Sequence, residues 1–140
     1  MKSLKIGITG VRGIIGETFT PEVAVGFSQA FGTYLDSGRI LICRDTRASG
    51  PMVRAAVIAG LLAAGCEVID LGVSPTPSLQ LAVKWLKADG GIAITAGHNP
   101  SQWNALKFVR SDGLYLNPTQ AEELLELDAE GGLIRFAGQR

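Results

Sequence analysis

Few of the side chains that usually carry catalysis or bind metal occur in this sequence. Its 140 residues include one histidine, His98, and two cysteines, Cys43 and Cys66. One histidine cannot build a metal cluster. Each cysteine sits in an apolar run, has no partner at metal-like spacing and forms no C-x-x-C. The pair reads as buried thiols in a reducing compartment. No two carboxylates share a loop, which argues against a glycosidase-like acid and base, and no P-loop pattern is present. Lysine plus arginine and aspartate plus glutamate are 13 each, so the net charge is zero. No global field draws in nucleic acid or an anionic membrane, and any anion site must be local. The longest apolar run, Ala55 to Cys66, contains glycine and falls short of the ~18 residues of a membrane span. The first five residues lack the apolar core of a signal peptide. A soluble, cytoplasmic protein is expected, with no nucleic acid or membrane partner.

What is present describes a globular domain. Hydrophobic residues make up 46% and charged residues 19%, enough for one domain with a real core. Leu4 to Ile8 alternates like a first strand, followed by a glycine-rich loop from Thr9 to Gly16 that holds Arg12. Thr20-Pro21-Glu22 starts a helix that ends at Asp36-Ser37-Gly38. Arg39 to Cys43 is a second strand, and Arg44 to Pro51 a polar loop. Pro51 opens a helix through Ala64, closed by Gly65. Glu67 to Gly72 is a third strand. Thr76 reads as the cap, and Pro77 as the first position, of a helix ending at Leu86. A fourth strand begins after Asp89-Gly90. Arg110 to Gly113 forms a turn, Leu114 to Leu116 a short pairing segment, and Asn117-Pro118-Thr119-Gln120 the capping box of a last helix. Strands alternating with proline-started helices imply a largely parallel sheet with helices on both faces.

The stretch from Gly91 to Phe108 is where this chain displays chemistry. A strand runs into a loop of small and polar residues carrying His98, and an apolar run then returns with Lys107. Arg12, His98 and Lys107 are cationic or cation-capable groups among glycines and small residues, a combination suited to a phosphate or another anion. Each also has a plainer reading: a solvated turn arginine, a histidine bonded only to its own loop, an exposed strand lysine. Asp45, between Arg44 and Arg47, either orders its loop or belongs to a surface ion cluster of little energetic weight. On the residues alone this is a phosphate-handling α/β domain with no specific reaction.

Four stretches together resemble the phosphohexomutase superfamily of phosphoglucomutases, phosphomannomutases and phosphoglucosamine mutases. Thr9-Gly10-Val11-Arg12-Gly13 is similar to its first glycine-arginine loop. Arg44 to Ser49 resembles its R-D-T-R-x-S loop, and Gly72 to Pro77 its G-x-x-P-T-P turn. Thr95 to Pro100, with Asn104 to Lys107, resembles its T-A-S-H-N-P catalytic loop and trailing N-G-x-K. The resemblance implies a three-layer α/β/α sandwich with a mixed, mostly parallel four-stranded sheet, the first of four domains. Residues 1–127 would be that domain, and residues 128–140 the start of a linker.

It also implies an intramolecular phosphotransferase, interconverting hexose or hexosamine 1- and 6-phosphates through a phosphoserine and a sugar bisphosphate. Arg12 and Lys107 would stabilise the transferring phosphoryl group or assist proton transfer, and His98 would orient loop and phosphate. Thr9 and Asn104 would join Arg12 and Lys107 in phosphate binding, Asn104 also holding the loop's return. The sugar phosphate would bind with the remaining domains, and Mg2+ would belong to the full-length parent, with none expected on this fragment. An exposed inter-domain edge would permit weak self-association.

One departure is central. The family's nucleophilic serine falls on Gly97, and Ala105 stands where a glycine is usual. Position 97 therefore has no hydroxyl to phosphorylate. Ser101 and Thr95 are the nearest other hydroxyls, and in-line transfer tolerates little displacement. A non-catalytic sugar-phosphate-binding or assembly module that kept the fold is the competing reading. The 140 residues alone are expected to be inactive. A coupled assay with hexose and hexosamine 1-phosphates checks this, and turnover by the isolated chain overturns it.

Overall fold

The computed structural model describes residues 4–7, 10–129 and 131. In chain order the elements are β1 (Lys5–Ile6), β2 (Gly10–Ile14), α1 (Pro21–Tyr34), β3 (Arg39–Arg44), α2 (Gly50–Ala63), β4 (Glu67–Val73), α3 (Thr76–Trp85), β5 (Gly90–Ile94), β6 (Trp103–Arg110) and α4 (Pro118–Ala129). The strands form one sheet in the order β1-β2-β6-β5-β3-β4. One larger core unites the sheet with residues of α1, α2 and α4, including Phe27, Phe31, Val57, Leu61, Ile92, Phe108 and Leu124. A smaller core joins Leu79 and Val83 of α3 to Leu41, Ala93 and Val109 on the opposite face. The result is the expected three-layer α/β/α arrangement.

The sheet has six strands, where four were expected, and it is not mostly parallel. Only β3–β4 and β3–β5 pair in parallel. The pairs β1–β2, β2–β6 and β5–β6 are antiparallel. Connection length accounts for much of this. A parallel return needs a dozen or more residues, usually with a helix, and β5 reaches β6 through residues 95–102 alone.

The stretch expected as a glycine loop is largely the strand β2. Its glycines suit strand pairing because the partner comes so close. A Cβ added at Gly10 would lie 1.8 Å from the Leu106 carbonyl oxygen, and one at Gly13 would lie 2.7 Å from Thr18 Oγ1. The entropic cost of ordering glycine is offset by pairings that a side chain would block.

The helix starts follow local chemistry, with one shift. Thr20 caps α1 by accepting from the Val23 N–H at 3.2 Å. Asn117 and Gln120 close a reciprocal capping box on α4, at 2.9 and 2.8 Å. At α3 the cap is Pro75, with no side-chain cap bond, and Thr76 already lies in the helix. Gly65 ends the α2 segment at φ +83°, and Tyr115 bridges Val109 after the turn. Both cysteines are buried, and neither forms a disulfide among the described residues. Burial pushes the Cys43 thiol up to about 11, with help from the charges of Asp45 and Asp70. The expected linker from residue 128 falls partly on α4, which runs to Ala129. Residues 130 and 132–140 lie outside the described residues.

Near the end of α4, burial raises the Asp128 carboxyl above its ordinary value of 3.8. A carboxylate in the last turn also opposes the helix dipole. A folded-state pKa above the unfolded one means that ionising Asp128 costs native stability. Asp128→Asn is therefore expected to raise the melting temperature at neutral pH. That gain holds above the folded-state pKa and disappears as pH falls to the ordinary carboxylate range. Thermal melts of both proteins from about pH 7 to about pH 3 check the sign.

Candidate phosphate site at the Ala96–Lys107 edge

Register decides which side chains meet. In β2 and β6, Gly10 pairs with Lys107, Arg12 with Ala105 and Gly13 with Asn104. In β1, Lys5 pairs with Arg12. Alternation along a strand puts Arg12, Ala105 and Lys107 on one face, and Val11, Asn104 and Leu106 on the other. Val11 and Leu106 belong to the larger core, so the cations point away from it. The other face carries α3, which packs on β3, β5 and β6.

A pocket of about 420 Å³ lies on this edge, lined among others by Lys5, Gly10, Arg12, Ala96, Asn99 and Lys107. Among the described residues three cationic side chains line it, and no carboxylate does. Lys5 directly opposite Arg12 is a like-charge cross-strand pair, unfavourable in itself. A bound anion would relieve that repulsion.

The site residues read from the sequence are only partly brought together. Arg12 and Lys107 share the pocket. Gly97 and His98 are exposed on the loop between two pocket residues, Ala96 and Asn99, and do not line it themselves. Asn104 is fully buried on the opposite face. Its Nδ2 donates to Ser49 Oγ at 2.8 Å, and its Oδ1 accepts from the Ala105 N–H at 2.8 Å. Asn104 thus ties the start of β6 to the start of α2 and does not face the pocket. Thr9 lies outside the described residues.

The loop itself hangs on Arg47. Its Nη2 donates to the carbonyls of Gly97 (2.8 Å) and Asn99 (2.9 Å). Its Nη1 donates to those of Pro100 (2.8 Å) and Trp103 (3.2 Å). Nε binds Asp45 Oδ2 at 3.2 Å, and the Arg47 side chain is 11% exposed. Asp45 Oδ2 also accepts from Thr95 Oγ1 at 2.7 Å, and Thr95 Oγ1 accepts from the Gly97 N–H at 3.2 Å. Asp45 therefore orders its loop, the first of its two readings, and through Arg47 it orders a second loop as well. Bonds to a charged donor contribute about 1.5–3 kcal/mol each when well shielded.

Gly97 sits at φ +59°, with no heavy atom within 4 Å of a Cβ built on it. A side chain fits there sterically, at the backbone cost of a left-handed conformation.

Lys5, Asn99 and Arg47 are the residues that sequence reasoning missed. Lys5 becomes visible only once β1 and β2 are seen to pair. Arg47 stood in a recognised motif, but its reach across the sheet edge has no local signature.

This fold has known counterparts. The family model for phosphoglucomutase/phosphomannomutase, alpha/beta/alpha domain I, matches residues 3–131. The chain belongs to that family. It is 45% identical over 118 residues to the "probable phosphoglucosamine mutase" of Pyrococcus abyssi, covering 84% of this chain and 26% of that protein. It is also 45% identical over 126 residues to a phosphoglucomutase/phosphomannomutase of Thermococcus kodakarensis, covering 86% and 28%. Among solved structures, a phosphoglucomutase/phosphomannomutase family protein from Burkholderia thailandensis superposes with a TM-score of 0.81 at 28% identity, covering 94% of this chain and 32% of that one. The chain thus spans about a quarter to a third of the length of these relatives.

Gly10→Ala is expected to force β2 away from β6, because the new methyl overlaps a backbone oxygen and no flexible side chain can yield. A loss of about 2–3 kcal/mol, typical of overpacking, should appear in urea unfolding.

Proposed function

We propose that the chain is the catalytic-loop domain of a phosphohexomutase that moves a phosphate between the 1- and 6-positions of a hexose or hexosamine. The observation that carries this reading is the acid-free pocket of Lys5, Arg12 and Lys107 beside the Ala96–Asn99 loop. Phosphoryl transfer is catalysed mainly by positioning and by offsetting charge. Arg12 and Lys107 would offset charge on the equatorial oxygens of the transferring group, or assist a proton to or from the sugar hydroxyl. His98, exposed at the loop tip, would orient the phosphate. Asn104 acts behind the site, fixing where β6 begins.

Magnesium enters by resemblance alone, and these residues do not fit it. Among the described residues no group of three or more His, Cys, Asp or Glu could hold a metal ion, and Gly97 offers no side-chain oxygen. Aspartates of a further domain would have to hold the ion, so no step here runs through it. Among the described residues no helix is long and apolar enough to cross a membrane. We keep a cytoplasmic location as part of the proposal. Weak self-association through an exposed inter-domain edge stays part of the proposal, and the exposed Ile6 and Val73 on the two edge strands β1 and β4 support it.

Gly97 favours a second reading, a sugar-phosphate-binding or assembly module without its own phosphoryl carrier. Restoring the hydroxyl separates the two. In the full-length parent, Gly97→Ser is expected to take up phosphate on residue 97 from a sugar bisphosphate and to raise mutase turnover by orders of magnitude. Peptide mass spectrometry and a coupled assay read both effects. Unchanged, absent turnover in a serine protein that binds the sugar phosphate supports the module instead.

A further inference from the structure

Elsewhere in this chain arginines meet carboxylates. Arg39, Arg47, Arg54 and Arg110 pair with Glu67, Asp45, Asp70 and Asp112 respectively. The pocket cations do not. Among the described residues Lys5, Arg12 and Lys107 make no ion pair. They stand on three adjacent strands, β1, β2 and β6.

Lys5 is the member that no motif explains. It lies directly opposite Arg12 in the antiparallel β1–β2 ladder, so both side chains leave the sheet on the same face. Residues in that relation have Cβ atoms about 4.5–5.5 Å apart. Lys107 pairs with Gly10, two residues before Arg12. It is therefore a diagonal neighbour of Arg12, a separation that long side chains still bridge. Arg12 thus stands between two lysines, one on each flanking strand, and all three line one cavity of about 420 Å³. A carboxylate opposite Arg12 would stabilise the hairpin, whereas a lysine there opposes it. The strand β1 has only two residues, and a short hairpin strand has little stability to spare.

A group with two negative charges and several acceptor oxygens makes the same arrangement favourable. Arg12 offers a planar fork of donors and Lys5 a compact charge with three, and these can engage different oxygens of one phosphate. A singly charged anion offsets the repulsion only in part.

We propose that Lys5 is a third phosphate-binding residue, gripping the same phosphate group as Arg12, and that it makes the pocket favour a phosphomonoester dianion over a singly charged anion. This rests on the phosphate-handling reading of the pocket and adds a contact outside all four motif stretches. Lys5 acts with opposite signs in the two states of the domain: it weakens the empty one and strengthens the occupied one.

Two probes test this on the ¹⁵N-labelled 140-residue chain at constant ionic strength: inorganic phosphate at about pH 8, mainly dianionic there, and dimethyl phosphate, which carries one charge. The amide resonances of Arg12 and Lys107 are expected to shift saturably with phosphate and weakly with dimethyl phosphate. Lys5→Gln should weaken phosphate binding about tenfold, the scale of one charged hydrogen bond, and leave dimethyl phosphate binding nearly unchanged. Lys5→Arg should restore the phosphate affinity. Lys84→Gln removes the same charge at an exposed site outside the pocket and should change neither affinity. Without phosphate, Lys5→Gln should melt higher than the unaltered chain, and added phosphate should raise its melting temperature less. A lower melting temperature of the empty variant, together with lost binding, marks Lys5 as structural and overturns the contact. Unchanged phosphate affinity in Lys5→Gln, or an equal loss in Lys84→Gln, overturns the role of Lys5 and leaves the pocket standing. Equal weakening of both probes overturns the preference for a dianion. No saturable shift in the unaltered chain overturns the pocket reading itself.

Discussion

Four backbone carbonyls of one loop converge on the guanidinium of Arg47, a residue supplied by a different loop at the same edge of the sheet. Much of the candidate site follows from that convergence. A segment of glycine, histidine, asparagine, proline and serine has little intrinsic preference for one shape, and ordering it costs about 1–2 kcal/mol per residue in backbone entropy. No apolar burial offsets that cost at the exposed residues Gly97, His98, Pro100, Ser101 and Gln102. Bonds from a shielded arginine do, and the fork of Arg47 is itself held in plane by Asp45. The loop is therefore ordered from behind, and its front remains open for a ligand.

The sheet prepares that front in a complementary way. Placing β2 next to β6 sets Arg12, Ala105 and Lys107 on one face, and the short β1 adds Lys5 opposite Arg12. On the reverse face Asn104 is fully buried and committed to Ser49. Ser49 stands at the cap position of α2 in a helical conformation and makes no cap bond, while its hydroxyl accepts from Asn104. That bond fixes where the returning strand starts, and with it the height of Lys107 above the pocket.

Much of this was legible in the sequence where the signal is local. The caps of α1 and α4, the turn at Arg110–Gly113 and the strands β3 to β5 are carried by residues within a few positions of one another. The motifs at Arg12, Arg44–Ser49, Gly72–Pro77 and Thr95–Lys107 pointed to the right family. What escaped was non-local. Reading Gly10–Ile14 as a loop weighed the entropy of glycine without the partner strand that makes glycine necessary there. Counting four strands missed β2 and β6, which pair with each other from opposite ends of the sequence. Grouping Asn104 with Lys107 follows their shared motif, although strand alternation turns it to the opposite face from Lys107.

The pairing of β2 with β6 joins the first strand segments of the chain to nearly the last. Contacts of such sequence separation form only after a long loop is closed, and domains rich in them fold slowly. During synthesis β2 therefore waits, its edge unpaired, while the helices and the parallel strands β3, β4 and β5 emerge and pack. Arg12 and Lys107 come together only when the hundred-odd residues between and around them have left the ribosome. A chain interrupted before β6 carries every motif but the last and still has no pocket. An assembled pocket is in that sense a signal that the domain has been completed.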